Sequence, residues 1–141
     1  MDQAEQQLYQ YRLDTINTAT PEQLTLMLYE AALGSVESCI QSLAQDPQSG
    51  WSTSELARDI LAALADDVNV NHPHGQTMKD LYGYCWRTLM QAATSKDGSQ
   101  LVAVKDVLKN LIMGLEEYRQ PRRVATTPES GGKYHSLNFA G

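Results

Sequence analysis

The chain has 141 residues, a length that fits one domain able to bury a core without disulfide or metal support. Hydrophobic residues make up 42% of it and charged residues 20%, a balance that excludes a wholly disordered protein. The formal charge of -6, with no clustered run of Lys and Arg, excludes the basic surface that nucleic-acid binders use. The composition therefore predicts a folded protein whose partners are not DNA or RNA.

Residues 1–20 are rich in Gln, Asp and Thr, and their few apolar side chains include Tyr9, Tyr11 and Ile16. We predict an N-terminal arm, residues 1–20, that packs on the domain following it. The arm lacks the charged and apolar regions of a secretory signal. Apolar runs such as residues 24–33 are too short to span a membrane, so we expect no membrane insertion. Cys39 and Cys85, far apart in the chain, suit core positions in a reducing compartment, which indicates the cytosol.

The clearest boundary in the chain is the start of the first long helix. Thr20 is placed as the N-cap, Pro21 occupies the first helical position, and Gln23 can complete a capping box. The apolar pattern that follows predicts a helix over residues 21–44, ended by the turn-forming residues 46–50.

Two further helices show the same type of signal. A second capping box at Ser52 predicts a helix to about Val68, with the apolar stripe Leu56, Ile60, Leu61, Leu64 and Val68. Residues 69–76 carry turn formers and predict a loop. The third predicted helix runs from Thr77 to about Ala93, with a stripe made by Met78, Leu81, Tyr82, Cys85 and Leu89.

The fourth predicted helix is capped by Asp97, with Gln100 three residues on, and stopped by Pro121. Its apolar residues alternate spacings of three and four, as in a seam that packs against another helix: Leu101, Val104, Leu108, Leu111, Leu115 and Tyr118. Residues 121–141 are polar and aperiodic and predict a disordered tail. Because short loops place successive helices antiparallel, we predict an all-α, antiparallel up-down four-helix bundle over residues 21–120.

The chemistry of a helical-bundle enzyme is not found in this sequence. Di-metal bundles need pairs of Glu-x-x-His, which do not occur, and His72, His74 and His135 lack further ligands at a suitable spacing. No Cys-x-x-Cys-His or phosphate-binding loop is present. We therefore predict no catalytic residues, no metal and no cofactor, and we expect a binding protein. A metal-dependent bundle enzyme is the less favoured alternative.

The first and third predicted helices carry more apolar surface than one core stripe can use. Leu24 and Leu28 lie along one line of the first helix, whereas Leu26, Met27, Tyr29 and Leu33 point elsewhere. The third helix adds Tyr84, Trp86 and Met90 to its core stripe. This surplus predicts a groove for an amphipathic helix of a partner. Since such a groove would aggregate when uncovered, we hypothesise that the N-terminal arm is a removable lid.

Two segments of the chain resemble a known family. Tyr11 and residues 16–29, with Thr-Ala-Thr-Pro followed by Leu-Thr-Leu-Met-Leu-Tyr, are similar to the N-terminal signature of the flagellar export chaperones of the FliS family. Residues 81–92 resemble the family's Tyr-Asp-Tyr-Met-x-Arg-Arg-Leu segment on its third long helix. The chain departs from the family pattern at five positions: Gly83, Cys85, Thr88, Ala93 and Leu115.

The resemblance implies a cytosolic chaperone, with no enzymatic activity, that binds the C-terminal segment of flagellin. Such a chaperone prevents premature polymerisation of flagellin and delivers it to the flagellar type III export gate. By match to the family pattern, the expected partner-binding residues are Tyr11, Ile16, Leu24, Met27 and Leu28 on the arm and first helix, and Leu81, Tyr82 and Tyr84 on the facing helix. The alternative is a helical adaptor or scaffold with a partner other than flagellin.

Overall fold

The computed structural model describes residues 2–119, and no strand occurs among them. Its elements follow in the order α1 (Gln3–Thr18), α2 (Pro21–Gln45), a 3-10 turn (Pro47–Ser49), α3 (Gly50–Asp67), α4 (Gly75–Ser95) and α5 (Leu101–Arg119). The predicted all-helical class is confirmed. The predicted disordered tail, residues 121–141, lies outside the described residues. No helix within residues 2–119 has the length and apolar content needed to cross a bilayer.

The predicted N-terminal arm is itself a helix, α1. Asp2 caps it by accepting a hydrogen bond from the backbone N–H of Glu5 over 2.8 Å. None of its residues is buried, so the expected packing of the arm on the bundle is not confirmed. At 3.6 residues per turn, Tyr9, Leu13 and Ile16 share one face of α1, and Leu8 and Tyr11 lie on another, so its apolar residues are divided between two faces.

The predicted start of α2 is confirmed in detail. The backbone N–H of Gln23 donates to Thr20 Oγ1 over 3.1 Å, and the backbone N–H of Thr20 donates to Gln23 Oε1 over 2.8 Å. These reciprocal bonds form the capping box and satisfy two of the backbone donors left free at a helix start. The helix ends at Gln45, one residue beyond the predicted end.

The core lies where α2 packs against α3 on one side and α5 on the other, while α3 also packs against α4. The apolar seam predicted for the last helix is confirmed, because Leu101, Val104 and Leu108 are buried and Leu111 and Leu115 pack partly buried against the core. The side chain of Tyr118 lies outside the part of the chain that the structure describes. Helix α2 is thus covered on two sides, which accounts for much of its apolar content.

The predicted start of α3 at Ser52 is wrong. The helix begins at Gly50, directly after the 3-10 turn, which Asp46 caps by accepting from the backbone N–H of Gln48. The hydroxyl of Ser52 donates back to the carbonyl oxygen of Ser49 and therefore caps nothing. A hydroxyl inside a first helical turn makes this type of bond as readily as a true cap, so the sequence signal was misleading.

The buried stripe of α3 also differs from the predicted one. Leu56 was expected in the core, but 54% of its surface is exposed. The small residues Ser54 and Ala57 are fully buried instead, and the predicted core residues Leu61 and Leu64 continue the buried stripe. Small side chains let neighbouring helices approach closely, a preference that an apolar count alone does not register.

Helix α4 is longer than predicted at both ends, because it begins at Gly75 and ends at Ser95. Lys96 follows in the left-handed conformation with φ 63°, a usual way to end a helix. Asp97 was expected to cap the next helix, but its carboxylate accepts from the backbone N–H of Ser99 over 2.9 Å and forms a local turn. That bond lowers the pKa of Asp97 from its ordinary value.

Candidate functional site

An apolar groove of about 230 Å³ opens between the start of α2, the end of α3 and one residue of α4. Most of its lining side chains are aliphatic or aromatic, and Asp67 is the charged residue among them. The lining residues are Pro21, Leu24, Thr25, Leu28, Leu64, Asp67, Val68 and Tyr82. A concave apolar surface with a few polar groups is typical of a site that receives a partner's side chains.

Two tyrosines form a buried pair next to this groove. The hydroxyl groups of Tyr29 on α2 and Tyr82 on α4 lie 2.6 Å apart and share a hydrogen bond, and their ring centroids lie 6.4 Å apart. Only 3% of Tyr29 and 2% of Tyr82 are exposed. Burial raises the pKa of Tyr29 and of Tyr82 above the ordinary value, so both hydroxyls stay protonated. The pair therefore couples α2 to α4 through neutral groups.

Three of the predicted partner-binding residues meet in the groove: Leu24, Leu28 and Tyr82. Leu28 does not belong to the buried stripe of α2: it is 39% exposed, whereas the nearby Leu26 is only 7% exposed. Leu24 and Leu28 are thus the surplus apolar surface that the sequence predicts for this helix. The groove holds them beside the end of α3.

The profile of a known family spans this whole helical region. The family described as "Flagellar protein FliS" matches residues 3–121 of the chain. This chain belongs to the FliS family. It is also 31% identical over 96 residues to the flagellar secretion chaperone FliS of Bacillus subtilis (strain 168), an alignment that covers 67% of this chain and 72% of that relative. The family suggested by residues 16–29 and 81–92 is therefore confirmed.

Other predicted binding residues of this FliS-family chain lie away from the groove. Met27 lines a separate cavity of about 330 Å³ at the junction of α1 and α2. Leu81 is partly buried against the core, and Tyr84 is 42% exposed on α4. On α1, Tyr11 is 67% exposed and Ile16 is 43% exposed. The structure thus places these five residues at several surfaces, not at one.

The predicted lid is not seen over the groove. No lining residue of the groove comes from α1, and no residue of α1 is buried. The backbone at Ala19 and Thr20, between α1 and α2, is extended, so α1 and α2 are separate helices. In this structure of the FliS-family chain the groove is open.

Sequence reasoning missed several residues of the groove. Leu64 and Val68 were placed in the core stripe of α3, and they do pack with the core, but neither they nor Thr25 and Asp67 were assigned to a binding site, and all four line the groove. The short connection between α2 and α3 was a usable signal, because it predicts antiparallel helices and so places the end of α3 beside the start of α2. That signal identifies the end of α3 but cannot select individual side chains.

Neither a metal site nor a thiol site is evident in the described part of this FliS-family chain. Residues 2–119 contain no group of three His, Cys, Asp or Glu side chains that could hold a metal ion. His135 lies outside the described residues. Cys39 and Cys85 are buried and form no disulfide, which confirms their predicted core positions. Burial raises the pKa of the Cys85 thiol to about 11, which makes it a poor nucleophile at neutral pH.

Proposed function

We propose that this chain is a cytosolic export chaperone that binds the C-terminal helical segment of flagellin. By doing so it prevents premature polymerisation and delivers flagellin to the flagellar type III export gate. The observation that carries the proposal is the open apolar groove formed by Leu24, Leu28, Leu64, Val68 and Tyr82 in a chain of the FliS family. The similarity to the Bacillus subtilis flagellar secretion chaperone supports the same role.

The groove suits an amphipathic helix better than a flat or polar partner. Leucine and valine side chains offer apolar area to the hydrophobic face of a helix, and each buried methylene contributes about 0.8 kcal/mol. A client that is disordered when free must recover the entropy it loses on folding, which requires a large contact surface. A groove of about 230 Å³ can hold only part of such a client.

We propose that the predicted binding residues outside the groove extend the contact. Tyr11, Ile16 and Tyr84 are all at least 42% exposed, and each offers apolar area to a partner that wraps around the helices. Leu81 and Met27 are partly buried and can border such a surface. The groove would then anchor one part of the client, and the exposed aromatic residues would hold the remainder or contact the export gate.

Calorimetric titration with a synthetic peptide from the C terminus of the same organism's flagellin tests this function. We expect binding in the micromolar range or tighter, and we expect Leu28→Glu to weaken it roughly tenfold or more, because a carboxylate in an apolar groove must lose its water. Leu56→Glu is the matched control, since Leu56 is 54% exposed on α3 and lies outside the groove. That variant should bind like the unchanged protein.

Two results would contradict the proposal. If the unchanged protein shows no heat of binding at micromolar peptide, its partner is not flagellin, and an adaptor with another partner becomes the better explanation. If Leu28→Glu and Leu56→Glu bind equally well, the client uses a surface other than this groove. Circular dichroism of both variants establishes that they remain helical.

A further inference from the structure

Two buried hydroxyl groups beside the groove share one hydrogen bond. A tyrosine hydroxyl carries one hydrogen to donate and can also accept. The contact of 2.6 Å between the hydroxyls of Tyr29 and Tyr82 uses the hydrogen of one and leaves the hydrogen of the other. Within residues 2–119 neither hydroxyl has a second protein partner. One donor of the pair is therefore available to another molecule.

The position of the two rings decides which hydrogen that is. Tyr82 lines the groove, whereas Tyr29 does not. When Tyr29 donates to Tyr82, the hydrogen left over belongs to Tyr82, the member of the pair that lines the groove. The opposite arrangement leaves the hydrogen of Tyr29 among core side chains, where an unmade hydrogen bond is costly. Burial keeps both hydroxyls protonated, so the donor is present across the physiological pH range.

The negative charge in the groove restricts which client oxygen can accept this hydrogen bond. The carboxylate of Asp67 lines the same groove, and it repels a client carboxylate at short range. An uncharged oxygen meets no such repulsion. Inside a client helix the backbone carbonyls already accept intrahelical bonds, so the available oxygens are those of Asn, Gln, Ser or Thr side chains or of a helix end.

We propose that the Tyr82 hydroxyl donates a hydrogen bond to an uncharged oxygen on the client segment bound in the groove. Tyr82 is then a specificity-determining residue, because it favours a client that carries one such oxygen on an otherwise apolar face. A buried donor left without an acceptor penalises a fully apolar segment more strongly than a matched bond rewards the correct one. This inference rests on the proposed chaperone function.

The test compares two conservative variants of the full chain, Tyr82→Phe and Tyr29→Phe. Both remove the same hydrogen bond of the pair, so both should lower the melting temperature of the free protein by a similar amount. Titrated with the flagellin C-terminal peptide, Tyr82→Phe should bind roughly fivefold more weakly, the size expected for one neutral hydrogen bond. Tyr29→Phe keeps the Tyr82 hydroxyl and should bind within about twofold of the unchanged protein.

A second measurement uses the unchanged sequence and does not depend on how the variants fold. In protein labelled with ¹³C-tyrosine, the hydroxyl hydrogen of Tyr82 should exchange with water more slowly once the peptide is bound. Equal weakening by both variants, weakening by neither, or no added protection at Tyr82 would each overturn the inference. Absence of binding by the unchanged protein is a different result, since it contradicts the proposed client itself.

Discussion

The hydroxyl of Ser35 on α2 lies between two backbone groups of α3. The backbone N–H of Ala57 donates to Ser35 Oγ over 3.1 Å, and Ser35 Oγ donates to the carbonyl oxygen of Thr53 over 2.9 Å. Thr53 and Ala57 are four residues apart, the spacing at which a helix pairs a carbonyl with an N–H. A side chain of α2 is therefore bonded into the backbone ladder of α3 and fixes the two helices relative to each other.

We expect Ser35→Ala to destabilise the fold by about 1–3 kcal/mol, because two hydrogen bonds of a buried hydroxyl are lost. Ser35 is only 8% exposed, so water cannot easily replace it. Urea unfolding followed by circular dichroism measures the change. Ser38→Ala, an exposed serine on the same helix, is the control and should change stability by less than about 0.5 kcal/mol. If Ser35→Ala lowers the free energy of unfolding no more than the control does, the two hydrogen bonds of Ser35 contribute nothing to stability.

The contrast between Ser35 and Thr20 shows which parts of the fold the sequence could predict. The capping partners Thr20 and Gln23 are three residues apart, so the pattern of residue types contains the whole interaction. The partners of Ser35 are 18 and 22 residues away on another helix. A serine inside a helix is usually a surface residue, and only the three-dimensional packing shows that this one is buried.

The same distinction, between local sequence patterns and contacts made by distant segments, applies to the groove. Leu24 and Leu28 could be predicted because they match the family pattern on a helix whose apolar residues exceed the single stripe that a core-facing helix needs. Leu64 and Val68 could not, since their spacing continues the core stripe of α3, with which they also pack, and only the three-dimensional structure shows that they line the groove. The separation of Tyr11 and Ile16 from the groove depends on the direction in which α1 leaves α2, which no local pattern specifies.

Gly75 marks a close approach between the start of α4 and the preceding loop. A Cβ atom at Gly75 would overlap the carbonyl oxygen of Asn69 and approach Cα of Val70 to 3.0 Å. We expect Gly75→Ala to destabilise the protein by about 1–3 kcal/mol, because backbone atoms must move to admit the methyl group. Thermal and urea unfolding measure this loss.

Gly34 provides the matched control for that substitution. It lies in α2, and a Cβ added there meets nothing within 4 Å. Gly34→Ala should stabilise the protein by about 0.5–1 kcal/mol, since alanine restricts the unfolded chain and favours helix. Changes of the same sign in the two variants would contradict the assignment of a close contact at Gly75.

The buried thiol of Cys85 makes the fold sensitive to alkaline pH. Its pKa is raised by burial from 9.0 to about 11, so above pH 9 the unfolded chain releases this proton while the folded chain retains it. The unfolded state then binds fewer protons, and the free energy of unfolding falls as pH rises. Between pH 9 and pH 11 the fall from this group is at most about 1.4 kcal/mol per pH unit.

Urea midpoints measured across that pH range test the prediction. Cys85→Ala should be less stable than the unchanged protein at neutral pH, because it leaves a small cavity, but its stability should fall less steeply above pH 9. The raised pKa values of Tyr29 and Tyr82 act in the same direction at higher pH and remain in the variant. If the urea midpoints of the two proteins fall in parallel as pH rises, Cys85 does not contribute to the loss of stability at alkaline pH.

Deleting residues 1–17 distinguishes a lid from an independent arm. The structure shows no buried residue in α1 and no α1 residue in the groove, so the truncated protein should keep its melting temperature and its binding of a hydrophobic dye. A lid would give a different result, since its removal exposes apolar surface and raises both dye binding and affinity for the flagellin peptide. Thr20→Ala in the full chain is the sensitivity control, because loss of the cap of α2 should cost about 1 kcal/mol. If truncation raises dye binding while Thr20→Ala behaves as expected, α1 covers the groove in solution.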